Sequence, residues 1–131
     1  MPEPHCISVR IYYEDTDFSG FVYHAAYLKF FERGRTEFLR ELGVHHAELA
    51  EQGVAFAVRR MEIDFEAAAR IDDLLTVETA VEGGSGARLV LTQTIRRGET
   101  VLTRARVEVA AVRIGGGATR LPKTLLERLR S

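Results

Sequence analysis

The sequence predicts an α+β domain in which one long helix lies on a five-stranded antiparallel sheet. Residues 24–42 carry apolar side chains at Tyr27, Leu28, Phe31, Phe38, Leu39 and Leu42, with Gly34 and Arg35 filling the missing turn. That is the period of a helix with one buried face. Five other stretches alternate apolar and polar residues at period two, as half-buried strands do. The dimensions agree: about 19 residues of helix run roughly 28 Å, whereas five strands about 4.8 Å apart span roughly 19 Å. One helix can therefore cross the whole sheet.

The first strand, residues 5–13, sets Ile7, Val9 and Ile11 against Cys6, Ser8 and Arg10. A turn at residues 18–20 leads into the helix, and Gly43 stops it. Gly34 costs about 1 kcal/mol relative to Ala inside a helix, so its presence marks a point where helix backbone meets sheet closely. A short second helix over residues 44–52 is closed by Gly53. Strand two, residues 54–67, changes parity: Val54, Phe56 and Val58 are even, Met61, Ile63 and Phe65 odd. An extra residue near Arg59 and Arg60 has to absorb that change, which predicts a bulge there.

Strand three carries Leu75, Val77, Thr79 and Val81; strand four Leu89, Leu91, Gln93 and Ile95; strand five Val101, Ala105, Val107, Val109 and Ala111. The glycine-bearing turns at 83–86 and 97–99 predict that strands two to five form an antiparallel meander. The triple glycine at 115–117 ends the last strand, and Pro122 opens a short C-terminal helix. Val90, Leu102, Ala110 and Val112 have the opposite parity and predict a second, outer surface used in self-association.

With 131 residues, 46% of them hydrophobic, the chain is expected to form a single domain over 1–131. Eighteen basic against nineteen acidic residues, with no basic tail, argue against nucleic acid or a membrane surface as partner. One cysteine excludes an internal disulfide. No signal-peptide pattern or long apolar run is present, so the expectation is a cytoplasmic protein with no integral membrane segment.

The chemistry candidates are few. Glu14, Asp15 and Asp17 crowd three carboxylates just ahead of the helix. Asp17 has two readings. It accepts backbone N–H bonds in its own turn, as Asp commonly does, or it is a catalytic carboxylate facing a helix terminus whose free N–H groups polarise a carbonyl. In the second reading Glu14 and Asp15 disfavour its charged form and tune its basicity. His24 stands where the helix begins, as a surface residue or as part of a site. His45 and His46 match no zinc spacing, and Ser19 and Ser85 lack the nucleophile-elbow pattern. Cys6 is expected to be buried packing. Arg59, Arg60 and Arg70 are either solvated charges or phosphate ligands.

The stretch YYEDTDFSGFVYHAAYLKFFERGRTEFLRELG resembles the acyl-CoA thioesterases of the 4-hydroxybenzoyl-CoA thioesterase type in the hotdog-fold superfamily, and within them the bacterial branch associated with the Tol-Pal envelope system. VAFAVRRMEIDFEAAARIDDLLTVET and LPKTLLERL extend the resemblance over nearly the whole chain. It implies a hotdog fold, a long helix wrapped by a five-stranded antiparallel sheet, and hydrolysis of an acyl-CoA without metal or other cofactor. By position, Asp17 matches the family's catalytic carboxylate, His24 the histidine at the helix start, and Tyr13 a tyrosine lining the site. Arg59 and Arg60 become candidates for holding the CoA phosphates. Phe18-Ser19 and Ala68 depart from the family pattern, the first beside the acyl pocket and the second in a loop. The resemblance also implies a homo-oligomer, a dimer packed further into a tetramer, with sites shared between subunits. The rival expectation is a non-catalytic acyl-thioester-binding or protein-interaction subunit of an envelope or lipid-synthesis assembly.

Overall fold

A computed structural model describes residues 4–129. Its elements, in chain order, are β1 (His5–Arg10), a 3₁₀ turn (Tyr13–Asp15), α1 (His24–Glu41), α2 (His46–Glu51), β2 (Val54–Phe65), β3 (Leu74–Ser85), β4 (Arg88–Arg97), β5 (Thr100–Arg113) and α3 (Lys123–Leu129). The five strands form one antiparallel sheet with α1 packed on one face, the hotdog arrangement that the resemblance implies.

The sheet order is β1-β3-β4-β5-β2, so the expected meander holds only for β3, β4 and β5. β2 instead pairs with β5, Val58 opposite Val109, and residues 66–73 carry the chain to the other side of the sheet. No tight turn joins β2 to β3. The connection is held on its way by Leu102 O, which accepts from Glu66 N and Ala67 N at 2.8 and 3.1 Å. Leu102 is the extra residue where β4 pairing steps from Ile95–Thr103 to Arg96–Val101. The bulge turns Leu102 inward and buries it fully, which removes it from the expected outer surface. Val90, Ala110 and Val112 remain half-buried, with Val90 opposite Glu108 and Ala110 opposite Arg88.

The predicted bulge in β2 lies between Val58 and Arg60. α1 buries Ala26, Tyr27, Phe30, Phe31, Gly34, Phe38 and Leu39, whereas Leu28, expected on that face, is exposed. The helix presses so closely on the sheet that a Cβ on Gly34 would sit 2.8 Å from Val77 Cγ1 and 3.1 Å from both Gln93 Nε2 and Thr79 Oγ1. Beneath it Gln93 Nε2 donates to Phe31 O and to Thr79 Oγ1, each at 2.9 Å. Gly43 and Gly53 take φ of +83° and +78° and stop their helices. Cys6 is exposed and not core packing, because β1 is an edge strand covered by the helix on its Ile7–Val9 parity alone.

Candidate active site

Residues 16–22 form a tight hairpin just ahead of α1. Thr16 bridges Val22, Asp17 N donates to Phe21 O at 3.0 Å, and Gly20 N donates to Asp17 O at 3.0 Å. Gly20 has φ +85°, a left-handed conformation that glycine adopts without steric cost. The side chain of Phe18 stands fully in solvent at the hairpin tip.

Asp17 is held by its own turn. Its Oδ1 accepts Ser19 N at 2.8 Å and also the Ser19 hydroxyl. The Ser19 hydroxyl, then the Ser19 N–H, holds the Asp17 carboxyl below its ordinary value, with a smaller contribution from His24. The upward tuning expected from Glu14 and Asp15 is therefore corrected. Asp15 points inward, buried, with Oδ2 accepting Tyr12 N at 2.9 Å and its carbonyl accepting Tyr23 N at 3.3 Å. Donors aimed at Asp17 dominate over like charges that face elsewhere.

α1 begins at His24 behind Tyr23, which supplies no side-chain cap. Ala26 N donates to Tyr23 O at 3.0 Å, which leaves the His24 and Ala25 N–H groups for another acceptor. The His24 ring lies against Phe65 with centroids 4.5 Å apart, and Phe65 also meets Tyr27 edge-on at 5.7 Å. Val22, His24, Tyr27, Phe65 and residues 66–68 line a cavity of about 230 Å³ at this end of the helix. The cavity is lined mainly by apolar side chains and by His24 at the helix start; Val22 joins it to the hairpin that carries Asp17, which does not itself line it.

The wall is tied to the turn by hydrogen bonds. Tyr27 hydroxyl accepts Ala69 N at 3.0 Å, and Ala69 O accepts Val22 N at 2.9 Å. Val22 in turn bridges Thr16, the neighbour of Asp17. Burial, partly offset by the Ala69 N–H, pushes the Tyr27 phenol above its ordinary value. Asp73 braces the same connection, accepting Arg70 N and Arg97 Nη1, each at 2.9 Å.

Of the residues singled out in the sequence, Asp17 and His24 are near enough for the imidazole to contribute slightly to lowering the Asp17 carboxyl. Tyr13 does not line the cavity and is 79% exposed. Arg59 lies at the β2 bulge and Arg60 pairs with Glu62 at 2.7 Å. Arg60 stands five positions before Phe65, about 17 Å along a strand, and neither arginine lines the cavity at His24. Phe65, Tyr27 and Ala69 are additions that the sequence did not single out. Phe65 carried a signal, as the last odd-parity apolar residue of β2, but the Tyr27–Ala69 bond joins residues too distant in sequence for any local pattern.

Residues 12–129 match the family model of the thioesterase-like superfamily. The acyl-CoA thioesterase YbgC of Haemophilus influenzae is 50% identical over 108 residues, covering 82% of this chain and 79% of that protein. The acyl-CoA thioester hydrolase YbgC of Escherichia coli O6:H1 is 47% identical over 105 residues, covering 79% and 78%. Among solved structures, a probable thioesterase from Bartonella henselae superposes with a TM-score of 0.87 at 48% identity, over 91% of this chain and 99% of that one.

Proposed function

This chain belongs to the thioesterase-like superfamily, and on that premise we propose that it hydrolyses acyl-CoA thioesters to CoA and a carboxylic acid, with Asp17 as nucleophile or general base. One observation carries the assignment: Asp17 is a carboxylate kept charged by Ser19 beside an uncapped helix start and an apolar cavity. On the nucleophilic route Asp17 attacks the thioester carbon, the C–S bond breaks, CoA departs as a thiol after protonation, and water opens the mixed anhydride. On the general-base route Asp17 takes a proton from the attacking water and the same bond breaks. Either way the developing oxyanion meets first-turn N–H groups of α1 near His24.

The active unit in this reading is a dimer, packed further into a tetramer through the outer sheet face. Two features support a partner copy. β2 is hydrogen-bonded on one side, to β5, and Val58 and Phe65 along it are half exposed. A neighbour's β2 then supplies the opposite wall, Tyr13 reaches the site from the rim, and Arg59 and Arg60 hold CoA phosphates across the seam. A fully active monomer in sedimentation at assay concentration rules out the shared site. The reading also makes the protein a single-domain cytoplasmic enzyme associated with the Tol-Pal system, and co-purification with Tol-Pal components bears on that association.

The experiment is a hydrolysis screen of short, long and aromatic acyl-CoAs, with free-thiol detection, on wild type and Asp17→Asn. The amide keeps the shape and loses the charge, so we expect folding to persist and kcat to fall by at least about 100-fold. Unchanged turnover in a folded Asp17→Asn variant overturns the role of Asp17. Wild type that binds acyl-CoAs and hydrolyses none of them points to the binding-subunit alternative.

A further inference from the structure

The hairpin that carries Asp17 rests on the connection from β2 to β3, residues 66–73. Ala69 O accepts Val22 N at 2.9 Å, Phe21 bridges Arg70, and the Arg70 guanidinium lies 4.9 Å over the Phe21 ring. Backbone bonds hold the two ends of the connection: Leu102 O takes Glu66 N and Ala67 N, and Ile11 exchanges bonds with Asp72 and Asp73, each at 2.9 Å. Its middle is gripped by two side chains from elsewhere, Tyr27 at Ala69 N and Arg97 at Ala68 O. Tyr27 belongs to the helix, so Arg97 is the grip that comes from the sheet.

Arg97 is the last residue of β4. Its turn into β5 is tight, with Arg97 opposite Thr100 and Gly98 at φ +60°, so the backbone fixes where the side chain starts. From there one nitrogen, Nη1, donates to Asp73 Oδ2 at 2.9 Å and to Ala68 O at 3.3 Å. Asp73 Oδ2 also accepts Arg70 N at 2.9 Å. Burial alone would raise the Asp73 carboxyl, but the Arg70 N–H and the Arg97 guanidinium outweigh it and hold the group below its ordinary value. Asp73 therefore stays charged, and its bond to Arg97 is of the stronger, charge-assisted kind.

We propose that Arg97 is a positioning residue for the reaction: through Asp73 and Ala68 it fixes the connection on which the Asp17 hairpin rests. The route is short. Arg97 holds Ala68, the next residue holds Val22, Val22 bridges Thr16, and Thr16 precedes Asp17. Arg97 does not line the cavity at His24, and its bonds go to Ala68 and Asp73. It thus acts through geometry, where a misplacement of about 1 Å costs on the order of 100-fold in rate. The kinetic part of this role rests on the thioesterase reading of Asp17.

The test compares Arg97→Met, which keeps the stem and loses the charge and the donors, with Arg97→Lys. Because one nitrogen makes both bonds, a lysine ammonium with its three donors can replace it. In the acyl-CoA hydrolysis assay, Arg97→Met should lower kcat at least about tenfold and change KM less than about threefold, and Arg97→Lys should recover most of the loss. A second readout needs no turnover. Arg97 is not among the groups that hold the Asp17 carboxyl low, so a rise of its ¹³C titration toward the ordinary 3.8 in Arg97→Met reports a loosened hairpin. Wild-type kcat in folded Arg97→Met, a rise in KM as large as the fall in kcat, Arg97→Lys no better than Arg97→Met, or an unmoved Asp17 titration overturns the proposal. If wild type hydrolyses no acyl-CoA, the thioesterase reading falls and the titration alone decides. Should Arg97→Met not fold, Asp73→Asn decides, since its amide oxygen still accepts Arg70 N while the charge facing Arg97 is gone; wild-type kcat there overturns the role.

Discussion

Replacing Gly34 with Ala sets two effects against each other, and the structure decides between them. Helix propensity favours the substitution by about 1 kcal/mol. Against it, the new methyl meets Val77 Cγ1 at 2.8 Å and the polar atoms of Gln93 and Thr79 at 3.1 Å. Val77, Thr79 and Gln93 are fully buried and belong to the sheet, so none can swing into solvent. Overpacking of this kind costs about 1–3 kcal/mol. Shifting Gln93 also loosens two bonds that satisfy buried groups, for about 1–3 kcal/mol more. The net expectation is a loss of about 3 kcal/mol. At roughly 4 °C per kcal/mol for a chain of this length, Tm falls by about 12 °C. Differential scanning calorimetry of Gly34→Ala beside wild type measures it. An unchanged or raised Tm would mean that the helix stands off the sheet far enough for a methyl, which refutes the close approach.

Tyr27→Phe removes the acceptor of Ala69 N–H while keeping the ring; the unpaired N–H costs about 1–3 kcal/mol, and loosening the path to Val22 should lower kcat more than it raises KM. An equal fall in stability with unaltered kcat at low temperature would limit Tyr27 to packing. Ser19→Ala deletes the largest influence holding Asp17 low, so the Asp17 carboxyl should titrate closer to the ordinary 3.8, read by ¹³C NMR of its side chain. The sign follows from linkage: a depressed carboxylate stabilises above its unfolded pKa, and that contribution is lost as pH falls through the folded one. Ser19→Ala should thus narrow the acid window over which stability declines, and an unmoved titration would deny the hydroxyl its role. Arg59→Ala or Arg60→Ala should raise KM for CoA esters and leave a truncated thioester lacking the nucleotide nearly unaffected. Equal effects on both substrates would make the arginines structural.

The helix and the strand faces were legible because burial imposes a period on the sequence. Leu75, Val77, Leu89 and Leu91 are all fully buried, as their alternation required. The bulge beside Arg59 was legible because parity cannot change without an extra residue. The position of β2 was not, since which partner a strand pairs with depends on where the chain travels, and residues 66–73 carry no periodic signal. Leu28 and Leu102 fail for a related reason: parity names a face, and tertiary contact decides whether that face is covered. In the candidate site, the motif around Asp17 and His24 was readable, but the Ser19 hydroxyl was considered as a nucleophile and not as the donor that keeps Asp17 charged. Cys6 was misjudged because alternation says nothing about a strand lying at an edge.

The transfer of β2 to the far side of β5 has a consequence for how the chain acquires its structure. β3, β4 and β5 are joined by tight turns and can zip together through local contacts, whereas Val58 waits for Val109, about fifty residues later. Pairings at such separation must be reached against loop-closure entropy and slow the search. During synthesis β2 emerges well before its partner exists, with Phe56, Val58, Ile63 and Phe65 still uncovered. The strand that completes the sheet is thus the one exposed longest to wrong pairing with other chains.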